Sequence, residues 1–130
     1  MTLTPQQIAD TSAEAMWRDD EACKGLGMVV QSVGPGTATL TMKVTADMTN
    51  GHGTCHGGFI FTLADSAFAY ACNSYNQRVV AGQAAITFIA PAFAADLLTA
   101  QATEVQLYGR SGIYDVRVTR QSGDVVAEFR

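Results

Sequence analysis

The sequence predicts an α+β domain: an antiparallel sheet of about five to six strands wrapped around one long central helix, with a short helix at the N-terminus. Three observations predict it. A run of about fourteen mostly apolar residues, Phe59 to Cys72, reads as one buried helix. β-prone runs lie on both sides of it. Turn residues at Gly34-Pro35-Gly36 and at Ser122-Gly123-Asp124 join neighbouring runs as hairpins.

The elements follow in order. Thr4-Pro5-Gln6-Gln7 is a helix start, with Thr4 as cap, Pro5 at the first helical position and Gln7 completing a capping box. The helix is loosely amphipathic and ends near Asp19-Asp20. Met28 to Val30 and Thr37 to Met42 form a hairpin, and a loop from Thr45 to Cys55 follows. After the apolar helix, Arg78 to Ala90 is a second β region that stops at Pro91. Asp96 to Leu107 and Gly112 to Gln121 are further strands, the latter with Tyr114, Val116 and Val118 on one face. Val125 to Phe129 is the last. No linker or repeat interrupts the 130 residues, so residues 1–130 are expected to form a single domain.

Composition narrows the function. Charged residues are only 15% against 48% hydrophobic, a balance that points to surface covered by another subunit. A net charge of -4 excludes sequence-independent nucleic-acid binding, which needs a basic face. Four of the eight basic residues, Arg110, Arg117, Arg120 and Arg130, fall in the last quarter, where a local anion site could form. Cys23, Cys55 and Cys72 are odd in number and far apart, as suits reduced thiols in a cytoplasmic protein. The N-terminal residues lack the pattern of a signal peptide, and the apolar run is too short to span a bilayer, so no membrane association is expected.

The central helix is apolar nearly all round, and only Thr62, Ser66, Ala69 and Asn73 make a weakly polar arc. Asp65 is its one charge. A buried carboxylate without compensation is costly and has a raised pKa, which makes Asp65 a functional candidate. At the helix start, Gly57-Gly58 leaves backbone N–H groups open to a ligand oxygen, and the positive end of the helix dipole suits a carbonyl becoming an oxyanion. Gly57 and Asp65 are eight residues apart, roughly 12 Å along one helix. One carbonyl cannot touch both. If both act on one bond, the second comes from another copy, so the spacing implies a dimer with two shared sites.

Asn50-Gly-His-Gly-Thr-Cys-His56-Gly57-Gly58, followed by Phe-Ile-Phe-Thr-Leu-Ala-Asp65, resembles the signature of hotdog-fold acyl-CoA thioesterases of the phenylacetic-acid-degradation branch. The resemblance spans nearly the whole chain and includes the Ile86-Thr-Phe-Ile-Ala-Pro91 strand. It implies that Asp65 is nucleophile or general base, that the Gly57 N–H polarises the thioester carbonyl, and that Asn50 and His56 lie beside the carbonyl and the attacking water. It implies an aryl-acyl-CoA substrate, no cofactor, and a homotetramer built as a dimer of dimers. Gly58, Phe61, Thr62 and Arg110 are the candidates for substrate contact, Phe61 as a wall for an aryl group and Arg110 for a CoA phosphate. Relatives often carry a polar side chain near the start of the next strand; Ala81, Ala84 and Ala85 occupy much of that region here.

Rival chemistries are weaker. His52, Cys55, His56 and Asp65 do not match common zinc spacings, so no metal is expected. A Cys55 nucleophile would need adjacent His56 to aim at it. Hydration of an acyl chain, or acyl-CoA binding without catalysis, remain open as alternatives to thioester hydrolysis.

Overall fold

A computed structural model describes residues 2–130; Met1 lies outside the described residues. The N-terminal helix α1 spans Pro5–Arg18, and its capping box is complete: the Thr4 hydroxyl accepts from the Gln7 N–H while the Gln7 side chain accepts from the Thr4 N–H. The hairpin forms as expected from β1 (Val29–Gly34) and β2 (Thr37–Lys43). The central helix α3 spans Gly57–Cys72, and β3 (Ile86–Phe88), β4 (Leu97–Tyr108), β5 (Ser111–Thr119) and β6 (Val125–Phe129) complete a six-stranded sheet ordered β1-β2-β4-β5-β6-β3. Every pairing is antiparallel.

The sheet holds α3 on its inner face through residues that alternate along its strands. Ala38, Leu40 and Met42 of β2, Leu98, Ala100 and Ala102 of β4, Tyr114, Val116 and Val118 of β5, and Ala127 and Phe129 of β6 are all buried. The three alanines of β2 and β4 form a shallow floor, and Ala64, Ala67 and Ala71 of α3 are fully buried against the core, so helix and sheet approach closely. Leu63, fully buried in the same cluster, anchors that contact; truncating such a side chain to alanine costs about 2–5 kcal/mol.

Three sequence expectations change. A second helix, α2 (Glu21–Gly25), fills the space before β1, capped by the Asp20 carboxylate, which accepts from Cys23 N–H. Five residues with one buried side chain, Cys23, are too short to show a period. The expected β region Arg78 to Ala90 contracts to Ile86–Phe88. Residues before it run irregularly, held to the helix end by Asn73, whose amide donates to Val79 O at 3.1 Å and accepts from Val79 N at 2.9 Å. The helix is also less enclosed than its composition implies. Phe59, Phe61, Thr62, Asp65, Ser66 and Phe68 are only partly buried, because the sheet covers one side of α3 and α2 only part of the other.

Candidate active site

The segment entering α3 is a closed loop whose geometry follows from its polar residues. A bridge between Thr49 and Cys55 shuts it, and Asn50 staples it internally. The Asn50 Oδ1 accepts from His52 N at 2.9 Å, Thr54 N at 3.3 Å and the Thr54 hydroxyl at 3.2 Å. Three donors converging on one atom identify it as the oxygen, so the free end of the amide is Nδ2, a donor. Gly53, with φ of +81°, supplies the left-handed turn. The loop is then pinned from outside: Cys55 N donates to Ala92 O and His56 N to Met48 O, both at 2.7 Å.

His56 caps α3 with its ring. Its Nδ1 accepts from Gly58 N–H at 3.0 Å, and a Cβ on Gly58 would come within 3.1 Å of that nitrogen. With Nδ1 as acceptor, the neutral imidazole carries its proton on Nε2 and presents a donor outward. The Gly57 N–H has no hydrogen-bond partner among the described residues. No acidic residue stands in the first turn to offset the positive helix end. Asn50 Nδ2, His56 Nε2 and Gly57 N–H therefore make this end of the helix a set of donors.

Asp65 lies two turns further on, roughly 12 Å away by helical rise. It is half-buried rather than enclosed, and burial raises its carboxyl above the ordinary value. Among the described residues it makes neither hydrogen bond nor ion pair. Its neighbours on the polar arc are turned inward to the helix: the Thr62 hydroxyl donates to Gly58 O at 2.8 Å, and Ser66 donates to Thr62 O at 2.7 Å while accepting from Cys23 Sγ at 3.4 Å.

The structure thus brings Asn50, His56, Gly57 and Gly58 together, with Thr62 one turn on and bonded to Gly58 O, and places Asp65, Phe61 and Arg110 apart from that set. Phe61 belongs to an aromatic cluster, its ring 5.4 Å from that of Phe129, which also contacts Phe68. Arg110 sits at the β4–β5 turn, carried on the order of 30 Å from the loop by the length of β4, so it does not attend its own chain's Gly57. Three of the four arginines in the last quarter are engaged in ion pairs: Arg117 with Glu128 at 2.6 Å, Arg130 with Asp115 at 2.6 Å, and Arg120 with Asp96 at 2.8 Å. The Cys55–His56 pairing fails on geometry, since the buried thiol points to His56 O at 3.6 Å and the ring's Nδ1 is engaged by Gly58.

One feature beside the loop escaped the sequence reading. An apolar groove of about 470 Å³ opens next to Gly57, lined by Cys55, Ile60 and the segment Phe88 to Pro91. The ring of Phe88 lies 2.9 Å from where a Cβ on Gly57 would stand. Alternation along Ile86, Phe88 and Ala90 gives the facing of Phe88, but only the tertiary fold puts it over the helix start.

The profile of the thioesterase superfamily matches residues 52–127. The acyl-coenzyme A thioesterase PaaI of Escherichia coli is 46% identical over 119 residues, which are 92% of this chain and 85% of that protein. The solved structure of E. coli PaaI, from the phenylacetic acid degradation operon, superposes with a TM-score of 0.96, covering 98% of this chain and 92% of its own. A mutant of the phenylacetic acid degradation protein PaaI from Thermus thermophilus superposes with a TM-score of 0.81 at 39% identity, covering 85% of this chain and 94% of its own. A Streptococcus mutans protein solved bound to acetyl-CoA does so at 0.74 and 29% identity, covering 78% and 82%. The wrapped-helix architecture is that of the hotdog fold.

Proposed function

This chain belongs to the thioesterase superfamily, and we propose that it hydrolyses the thioester of an aryl-acyl-CoA, of the phenylacetyl or hydroxyphenylacetyl type, to the free acid and CoA. The observation that carries the reading is the contrast along α3: hydrogen-bond donors at its start and an unpartnered carboxylate two turns away. A thioester is already activated, so hydrolysis needs an oxyanion donor and a means of delivering water. The Gly57 N–H receives the carbonyl oxygen, with Asn50 Nδ2 and His56 Nε2 as flanking donors. The carboxylate is the Asp65 of a second copy packed alongside, because the Asp65 of the same chain lies too far along the helix. That carboxylate attacks the carbonyl carbon and expels the CoA thiolate, leaving a mixed anhydride that water cleaves, or it takes the proton from an attacking water. Raising its pKa by burial makes it a better base than an exposed aspartate.

Shared sites require a dimer, and two dimers form the tetramer of this reading, with CoA lying across subunit surfaces. An E. coli relative of the phenylacetic acid degradation operon supports the aryl substrate, and the acetyl-CoA complex of the S. mutans relative supports a CoA ligand. No described helix is long and apolar enough to cross a membrane, and we place the enzyme in the cytoplasm. A thiol-release assay across aryl and aliphatic acyl-CoAs tests the reading: fastest turnover with phenylacetyl-type substrates is expected, and binding of these thioesters without thiol release would overturn it. Single turnover in labelled water then separates the two roles of Asp65, since label enters its carboxylate only if it is the nucleophile.

A further inference from the structure

Between β3 and β4 the chain reverses through Phe93 to Asp96, a turn closed by Asp96 N–H donating to Phe93 O at 3.0 Å. Two features make this turn costly. Ala95 holds a φ of +74°, a left-handed conformation that residues with a Cβ avoid. Asp96 is a carboxylate only 5% exposed, and burying a charge is unfavourable unless it is paired and hydrogen-bonded. Four donors offset that burial. Arg120 Nε and the Phe93 N–H reach Oδ2, both at 2.8 Å, while Arg120 Nη2 and Gln121 Nε2 reach Oδ1 at 3.2 and 2.8 Å. The Arg120 guanidinium also lies over the Phe93 ring, 5.4 Å from its centroid. An exposed glycine turn would join two strands with neither the strain nor the buried charge.

The turn is anchored on both flanks of the loop Asn50 to His56. On the exit side Thr54 bridges to Phe93, and Cys55 N–H donates to Ala92 O at 2.7 Å. On the entry side Ala95 N–H donates to Val44 O and Val44 N–H to Asp96 O, both at 2.8 Å. Val44 leads through the short helical turn Ala46–Met48 to the carbonyl that receives His56 N–H at 2.7 Å. One turn thus grips the chain where it enters the loop and where it leaves.

We propose that Asp96 and Arg120 are positioning residues for the hydrolysis: their ion pair locks the Phe93–Asp96 turn, and the turn sets where Asn50 Nδ2, His56 Nε2 and the Gly57 N–H point. The assignment rests on the thioesterase reading above. Asp96 bonds none of these donors itself and acts through Phe93, Ala92 and Val44. Donors aimed at a developing oxyanion work only at hydrogen-bond distance from it, so a displacement of about 1 Å forfeits much of their effect. The other strand-borne pairs have no such link. Arg117–Glu128 and Arg130–Asp115 stand exposed on the sheet, and their side chains bond each other rather than the loop.

The test compares wild type, Asp96→Asn, Arg120→Lys, their double variant and Arg117→Gln, each assayed well below its own Tm on phenylacetyl-CoA. Asp96→Asn keeps the size of the side chain but leaves Arg120 without a counter-charge. Its kcat should fall about tenfold or more, with KM changed by less than about threefold. Arg120→Lys keeps the charge but not the fork, and should lose less. The double variant should be no worse than Asp96→Asn, because the two residues act as one unit. Arg117→Gln, from an exposed pair, should match wild type. Hydrogen exchange reads the clamp without turnover: the Cys55 and His56 amides should exchange at least about tenfold faster in Asp96→Asn, while those of β1 hold. Wild-type kcat in folded Asp96→Asn, losses that multiply in the double variant, or unchanged exchange of the loop each overturn the proposal. If Asp96→Asn does not fold, Arg120→Lys carries the same two measurements. Absence of thiol release from every acyl-CoA by wild type would remove the thioesterase reading instead, and loop exchange then decides the clamp alone.

Discussion

Asn50 to Gly58 and Asp65 lie within sixteen residues of each other, yet the fold treats them in opposite ways. In the first region two side-chain acceptors are engaged: Asn50 Oδ1 by three donors of its own loop, His56 Nδ1 by Gly58. What Asn50, His56 and Gly57 leave outward is donors, on a loop fixed by backbone bonds to Met48 and Ala92. At Asp65 nothing is engaged among the described residues, and its environment opposes the charge instead of stabilising it. A rigid donor set suits a charge that develops only during reaction, because its dipoles need no reorganisation. A partly desolvated, unpaired carboxylate suits a group that must itself react. On the proposed function the two regions act on opposite sides of one bond, and their separation along α3 is why that proposal draws them from different copies.

The largest effect expected is at Asp65. Asp65→Asn should lower kcat at least about a hundredfold with KM little changed, the scale of a missing base or nucleophile. Near-normal turnover would break the comparison at its acidic half. The same variant should also be more stable than wild type at neutral pH. The raised carboxyl contributes stability that is fully present below its unfolded value of 3.8 and is lost as pH rises through its higher folded value. The gain in Tm of Asp65→Asn should therefore shrink as the pH is lowered through that range, and an unchanged Tm at all pH values would contradict a burial cost.

The donor half is tested by deleting one N–H. Gly57→Pro removes it at the first helical position, where proline is well tolerated, and the nearest obstacle is the ring end of half-exposed Phe88. A loss of about a hundredfold in kcat/KM with helix content retained is expected, as for other oxyanion donors. Full activity would move the carbonyl elsewhere.

A smaller effect tests how the loop is held. Buried Asp96 accepts from Arg120, Gln121 and the Phe93 N–H, and so fixes the segment whose Ala92 O receives Cys55 N–H. These bonds hold its carboxyl down to about 2, so its contribution is present above 3.8 and is lost as pH falls toward 2. Asp96→Asn should cost about 2 kcal/mol near neutral pH, with the deficit vanishing in acid unfolding series.

Much of this arrangement was legible in the residues, for local reasons. The capping box at Thr4, the Gly34-Pro35-Gly36 turn and the period-two run Tyr114-Val116-Val118 are short-range signals, and each forms where it was read. Asn50, His56 and Gly57 gather because they are neighbours on one loop. What was not legible is longer in range. Arg117, Arg120 and Arg130 are close in sequence, but their partners Glu128, Asp96 and Asp115 are set by strand register. The contact of Phe61 with Phe129, more than sixty residues later, is likewise set by the tertiary fold. Phe88 becomes visible only when an edge strand crosses over a helix start made of glycine.

The central claim is that a complete site takes donors from one copy and the carboxylate from another, and subunit mixing tests it directly. Asp65→Asn and Gly57→Pro are each nearly inactive alone. Dissociated and reassembled together, they should regain about a quarter of wild-type activity, because half of randomly formed two-fold dimers are mixed and each mixed dimer holds one intact site of two. Activity that stays at the sum of the two single variants, with mixed dimers demonstrated in the sample, would place donors and carboxylate in the same chain and contradict the account.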